Sequence, residues 1–122
     1  MGHEFLDGES VLAFDLETTG ISTNTDRIVQ IALIGSNSTG DTVHYETLVN
    51  PRRPIPPGAS GVHGIFDSDV KGEQDFRHHA DEIHRLIENS VVVGHNIRKF
   101  DMPLLEYEFR RIGRLPPKPK AM

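Results

Sequence analysis

The sequence predicts an α/β protein built on a mixed sheet, and three observations carry that prediction. Its apolar segments fall in the order strand, strand, strand, helix, strand, helix. The second and third strands are separated only by the turn cluster Ser36 to Asp41 (SNSTGD), which makes them an antiparallel hairpin. A helical stretch then separates the third strand from the fourth, so the fourth returns parallel to a strand already laid down. The sheet thus begins with three antiparallel strands and adds a parallel one, with helices flanking it. A chain of 122 residues has room for one such domain, and residues 1–122 are read as a single unit.

Each element has its own signal. Val11 to Glu17 is short, apolar and ended by Thr18-Thr19-Gly20, which reads as a strand. Arg27 to Gly35 (RIVQIALIG) is the second strand, and Thr42 to Val49 is the third. Asn50 to Gly64 is rich in Pro and Gly; Pro51, Pro54, Pro56 and Pro57 predict a loop without helix. Asp75 to Glu88 carries Phe76, Ala80, Ile83 and Ile87 at helical spacing. Val91 to Val93 is a short buried strand. Met102 to Ile112 is a second helix with Leu105, Phe109 and Ile112 on one face, stopped by Gly113, Pro116 and Pro117.

Composition narrows the class. Hydrophobic residues make up 36% and charged residues 25%, as in an ordinary globular protein. No run approaches the roughly 18 apolar residues of a membrane span, and Met1 to Ser10 has neither the basic nor the apolar region of a signal peptide. With no cysteine there are no disulfides or thiolate sites, which fits a cytoplasmic protein. The net charge of -5 argues against a protein that coats nucleic acid. It is compatible with an acidic metal-binding cluster. Arg110, Arg111, Arg114, Lys118 and Lys120 crowd the C-terminal end, either as a solvated tail or as a phosphate-contacting patch.

The acids are the informative residues. Alternation along the first strand puts Leu12, Phe14 and Leu16 on one face and Ala13, Asp15 and Glu17 on the other. Two residues of strand rise separate the Cα atoms of Asp15 and Glu17 by about 7 Å. Two like charges buried that close need neutralising, and a divalent cation with oxygen ligands would do so. Asp101 follows the fourth strand, which the topology lays beside the first, and so faces Asp15 and Glu17 from a helix start. Three carboxylates from neighbouring elements are the minimum for a two-metal phosphodiesterase. Each has an ordinary alternative: Asp-x-Glu arises by chance in an acid-rich chain, and Asp101 with Pro103 in the first turn could simply cap a helix.

Phe14-Asp15-Leu16-Glu17-Thr18-Thr19-Gly20 resembles the first exonuclease motif of the DnaQ-like (DEDD) 3′→5′ exonuclease family. His95-Asn96-Ile97-Arg98-Lys99-Phe100-Asp101 resembles the second. Val49-Asn50-Pro51, Ile55-Pro56-Pro57 and Val62-His63-Gly64-Ile65 are similar to the segment joining them in proofreading subunits of bacterial DNA polymerase III. The resemblance runs from Val11 to Gly113. It implies a ribonuclease H-like fold and removal of nucleotides from the 3′ end of single-stranded DNA or RNA, with two Mg²⁺ or Mn²⁺ ions. It also implies a DNA polymerase as a partner. Asp15, Glu17 and Asp101 would be the metal ligands, Thr18 and Thr19 would lie against the terminal nucleotide, and His63, His95, Asn96 and Phe100 would line the site. Ordinary roles stand beside these: a loop histidine for His63, a structural hydrogen bond for Asn96, a core position for Phe100. His78, His79 and His84, on the preceding helix, are read as surface or partly buried and not as ligands.

The sequence departs from the family pattern twice. Three residues separate Asn96 from Phe100, where the polymerase III subunits usually have two. The family's third motif, which supplies a general-base histidine or tyrosine and a further aspartate, has no counterpart: no Asp or His follows Asp101. The expectation is a partial exonuclease domain without the C-terminal part of the fold. The alternative is a non-catalytic module that holds nucleic acid or a polymerase.

Overall fold

The computed structural model describes residues 8–122. The reading of Met1 to Ser10 as lacking a leader therefore falls mostly outside the described residues. The sheet has four strands in the order β3-β2-β1-β4. These are β1 (Val11–Thr18), β2 (Ile28–Ser36), β3 (Thr42–Leu48) and β4 (Val91–Val93). β1 and β2 pair antiparallel, as do β2 and β3, while β4 lies parallel to β1 over Val11 to Ala13 only. The mixed sheet expected from the sequence is thus observed. Beyond β4, residues 118–121 run along its free edge. Val92 N–H donates to Ala121 O at 2.9 Å, and Lys120 N–H to Ser90 O at 2.8 Å.

One face of the sheet is covered by α3 (Phe76–Ile87) and α4 (Met102–Arg111). Leu12, Phe14 and Leu16 of β1 and Ile31 and Leu33 of β2 meet Ala80, Ile83, Ile87, Leu105 and Phe109 there. Phe76 and Phe109 pack edge-to-face with centroids 5.0 Å apart, a favoured aromatic geometry. Gly113 ends α4 with φ of 75°, as the stop signal predicts.

The segment expected to be loop is partly helical. α1 (Pro57–His63) and α2 (Asp67–Val70) form within and just after it. The proline argument fails because Pro57 stands in the first helical turn, where its missing N–H costs nothing and its fixed φ favours the helix. Gly64 closes α1 in the left-handed region at φ 74°. A small second core of Val29, Ile55, Ile65 and Val70 anchors these helices. Leu48 packs against it, and Leu48 is the register partner of Gln30, which in turn faces Glu17. Directly opposed residues share a face. The lobe therefore sits at the Glu17 end of the sheet's other face, most of which is open: Ala13, Asp15, Ile34 and Val93 are all exposed.

Candidate active site

β1 carries Asp15 and Glu17 onto that open face, beside Ala32 and Gln30 of β2. Asp15 is exposed and Glu17 half-buried. The expected burial of this pair is corrected for Asp15, which lies on the open part of the face, while Glu17 is partly covered at the end where the α1–α2 lobe sits.

Asp101 is the buried member, 5% exposed. Its Oδ2 accepts the backbone N–H of Leu16 at 3.0 Å, so its carboxyl meets β1 at the residue between Asp15 and Glu17. The reason lies in the shortness of β4. It pairs only with Val11 to Ala13, which leaves the edge of β1 beyond them to be satisfied by something else. Gly94 lets the chain turn closely past that edge; a Cβ there would stand 2.5 Å from Phe14 O. Burial pushes the Asp101 carboxyl up to about 6, and the nearby Asp15 and Glu17 carboxylates push the same way, against the Leu16 N–H.

Asp101 stands at the N-cap position of α4, but its side chain makes no capping hydrogen bond there and goes to Leu16 N–H instead. It closes a wide turn, Ile97–Asp101, in which Met102 N–H returns to Ile97 O, five residues back. Such a π-type turn takes up one residue more than an α-turn. The long spacing between Asn96 and Phe100 is absorbed there, with Asn96 in the left-handed region at φ 58°.

The other expected site residues divide. His95 and Asn96 are exposed on the loop after β4, and the Asn96 side chain does not cap the turn that follows. Phe100 is half-buried and packs against the main core. His63 reaches from α1 to the end of β1. Its Nε2–H donates to Thr18 O at 3.0 Å, and its Nδ1 accepts Ile65 N–H at 3.1 Å. These two bonds select the neutral tautomer protonated on Nε2. The hydroxyls of Thr18 and Thr19 are engaged within the protein. Thr18 donates to Gly20 O at 2.7 Å, and Thr19 donates to Asp26 Oδ1 at 2.7 Å while accepting Arg27 N–H at 3.0 Å. His79, on α3, is half-buried and bound to the Tyr45 hydroxyl at 2.7 Å.

One organising residue, Asp26, escaped the sequence reading. Asp26 also accepts Ser22 N–H at 2.8 Å and so ties down the loop after β1. A Cβ on Gly20 would lie 2.6 Å from it. Its signal was present: an acid closing a Ser/Thr/Asn-rich turn commonly bonds the turn's own backbone. Glu108, 3% exposed, accepts Ile28 N–H at 2.9 Å and pairs with Arg111 at 2.6 Å, locking α4 to the start of β2. Burial raises its pKa, while the Ile28 N–H and the Arg111 and Arg27 charges oppose the rise.

The donor set suits a hard divalent ion: oxygen ligands only, in mutual repulsion. Among the described residues no three acids or histidines gather tightly enough to enclose an ion by themselves. That is compatible with magnesium chemistry, in which one or two carboxylates hold the ion and water or substrate phosphate completes the shell. The larger concavities, about 660 and 730 Å³, lie around Ser10 and Ser90 and beside His84 and Arg114; the carboxylates stand on an open shelf.

Comparison with known proteins finds relatives of the chain in sequence and in fold. A model of the RNase_T family, described as exonuclease, matches residues 12–122. The DNA polymerase III subunit epsilon-like protein of Rhodobacter capsulatus is 37% identical over 114 residues, covering 89% of this chain and 16% of that protein. The DNA polymerase III subunit epsilon of Treponema pallidum is 34% identical, over 79% of this chain and 44% of its own length. The 3′-5′ exonuclease DinG of Bacillus subtilis is 33% identical, over 84% and 11%. The chain thus spans less than half the length of each of these relatives. Apo Exonuclease I superposes with a TM-score of 0.77 at 25% identity, over 88% of this chain and 26% of that one. E. coli Exonuclease I in complex with a dT13 oligonucleotide gives 0.76 at 24% identity, over 88% and 25%, a likeness of fold.

Proposed function

Because this chain belongs to the RNase_T exonuclease family, we propose that residues 1–122 form one exonuclease domain acting at the 3′ end of a nucleic-acid strand. Asp15, Glu17 and Asp101 are its metal ligands in this reading. The observation that carries it is the Asp101 carboxyl docked on the backbone of Leu16, between the other two acids. Mg²⁺ or Mn²⁺ bound there would supply Lewis-acid activation of the phosphodiester and lower the pKa of a bound water.

The chain's own residues build the rest. Asp101 is held by Leu16 N–H, and Asp15 and Glu17 stand on the open face where a strand has access. His63 fixes the carbonyl of Thr18 and with it the end of β1. With their hydroxyls engaged, Thr18 and Thr19 would meet the terminal nucleotide through backbone and methyl groups. His95, Asn96 and Phe100 would border the strand from the other side. Single-stranded DNA is the substrate suggested by the oligonucleotide bound to Exonuclease I, and the epsilon relatives suggest association with a polymerase. No described helix is long and apolar enough to cross a membrane.

A second reading, nucleic-acid binding without cleavage, draws on the absence of a closed trio of ligands among the described residues. One assay separates the two. A 5′-labelled single-stranded DNA is incubated with the protein and Mn²⁺, beside Asp15→Ala. A ladder shortening from the 3′ end with the unmodified protein alone is the expected result. Salt-sensitive binding with no ladder from either protein would leave the binding reading standing instead.

A further inference from the structure

A second charged cluster lies on the helix-covered side of the molecule, near the start of β2. Arg27, Arg52, Arg77 and Arg111 line a small cavity of about 100 Å³ together with Asp75 and Glu108. Four cations against two anions leave this spot positive on a chain whose net charge is -5.

The positive charge is not fully answered from within. Arg27 Nε is buried and has no hydrogen-bond partner among the described residues. Its guanidinium is held below the usual arginine pKa by burial and by the neighbouring Arg111, with Glu108 opposing and Arg53 adding to the effect. Arg52 meets Asp75 only at 3.4 Å, on an exposed edge. Among the described residues Arg77 makes no side-chain hydrogen bond or ion pair. Arg52 also sits in the left-handed region at φ 57°, held there by Asn50 Oδ1 accepting its N–H at 2.8 Å. A non-glycine residue in that conformation costs free energy, so the backbone places this arginine at some expense.

The cluster also lies near the end of β1. Arg27 directly precedes Ile28, and Ile28 is the register partner of Thr18 at the acidic end of β1. Arg53 donates to Thr25 O at 2.8 Å, so another guanidinium braces the loop between β1 and β2. A cavity of 100 Å³ holds about three waters at roughly 30 Å³ each. That is room for one tetrahedral oxyanion. Arginine's fork of donors suits phosphate oxygens.

We infer that Arg27, Arg52, Arg77 and Arg111 form a second nucleic-acid contact, which takes a backbone phosphate at a distance from the terminal nucleotide. The inference rests on the nucleic-acid reading above. The contact positions the strand and carries no base preference.

Two measurements test it. In the first, inorganic phosphate is titrated against chloride at constant ionic strength, following the arginine Nε–H resonances. A saturable shift of the Arg27 signal is expected, absent in the double variant Arg52→Gly, Arg77→Ala. Glycine keeps the left-handed backbone of Arg52, and Arg77 is exposed, so both changes spare the fold. No saturable shift would overturn the site. In the second, fluorescent oligothymidylate binding is followed across salt concentrations in Ca²⁺. In the double variant, losing that one phosphate contact should make the slope of log K against log salt shallower by about 0.7, the value per phosphate on a single strand. Arg85→Ala, which removes a charge paired with Glu82 elsewhere on α3, should leave the slope alone. A phosphate response with an unchanged slope would mean a small-anion site only, and the nucleic-acid assignment would fall. The two readings fail separately. Asp15-dependent cleavage without a phosphate response removes this inference and spares the exonuclease. A phosphate response and altered slope without Asp15-dependent cleavage does the reverse.

Discussion

The two faces of β1 obey different rules, though their residues alternate along the same strand. Leu12, Phe14 and Leu16 are sealed beneath α3 and α4, at 5% exposure or less. Ala13 and Asp15 are exposed, and Glu17 is half-buried. One face holds the domain together; the other presents chemistry. Asp101 connects them, since it rises from the helical layer yet places its carboxyl at the acidic end of the strand. The difference teaches that an acid brought in from the covered layer is harder to charge: burial makes ionising Asp101 costly.

The comparison breaks first by substitution on either side of the strand. Leu16→Ala should lower unfolding stability by about 2–5 kcal/mol, while Asp15→Ala, next to it, should stay within about 0.5 kcal/mol. Urea denaturation of both variants measures this, and an equally large loss from Asp15→Ala would mean the acidic face is structural after all.

Asp101 gives the next effect. Its folded pKa of about 6 lies above the ordinary 3.8, so the folded state disfavours its charge. The folded protein then binds more protons than the unfolded chain between those values. Without divalent ions, the Asp101 contribution to stability should be fully present below about pH 4 and be lost as pH rises through 6, on the order of 3 kcal/mol at 1.36 kcal/mol per tenfold. Asp101→Asn keeps an acceptor for Leu16 N–H and removes the charge, so its profile over that range should be flatter in thermal melts with EDTA. Adding Mn²⁺ at pH 7.5 should then raise the melting temperature of the unmodified protein more than that of Asp101→Asn. Equal shifts would argue against Asp101 as a ligand.

Gly94→Ala sharpens the link between the faces. A Cβ 2.5 Å from Phe14 O forces the end of β4 away from β1. A loss of about 1–3 kcal/mol is expected, with activity falling further than stability because Asp101 is displaced. The smallest effect belongs to His63→Ala. It removes the bridge between Thr18 O and Ile65 N–H and should cost about 1 kcal/mol. Hydrogen exchange should quicken at Ile65, and unaltered exchange would show that the bridge contributes little.

The C-terminal basic run shows how far sequence proximity can mislead. Arg114 pairs with Asp81 and Lys120 with Glu9, while Arg110 lies over the Tyr107 ring. Only Arg111 enters the arginine cluster, where its companions come from residues 27, 52 and 77. Most of the run is thus taken up by partners of its own, and the arginines that meet around one cavity come mainly from elsewhere in the chain. The same lesson applies to the proline-rich segment. Counting prolines predicts a loop, whereas position within a first turn decides for a helix.

Strand order, the hairpin and the helical faces were legible by themselves, because periodicity and turn signals are local properties of the chain. Tertiary structure alone decided which face of β1 would be covered, that Asp101 would spend its oxygen on Leu16 N–H, and that the extra residue before Phe100 would widen a turn. It also decided that Thr19 would turn inward to Asp26, and that four arginines would meet around one cavity. Each of these depends on which groups distant in sequence meet, and on whether water reaches them. Burial and hydrogen-bond satisfaction are settled only once the whole chain has packed.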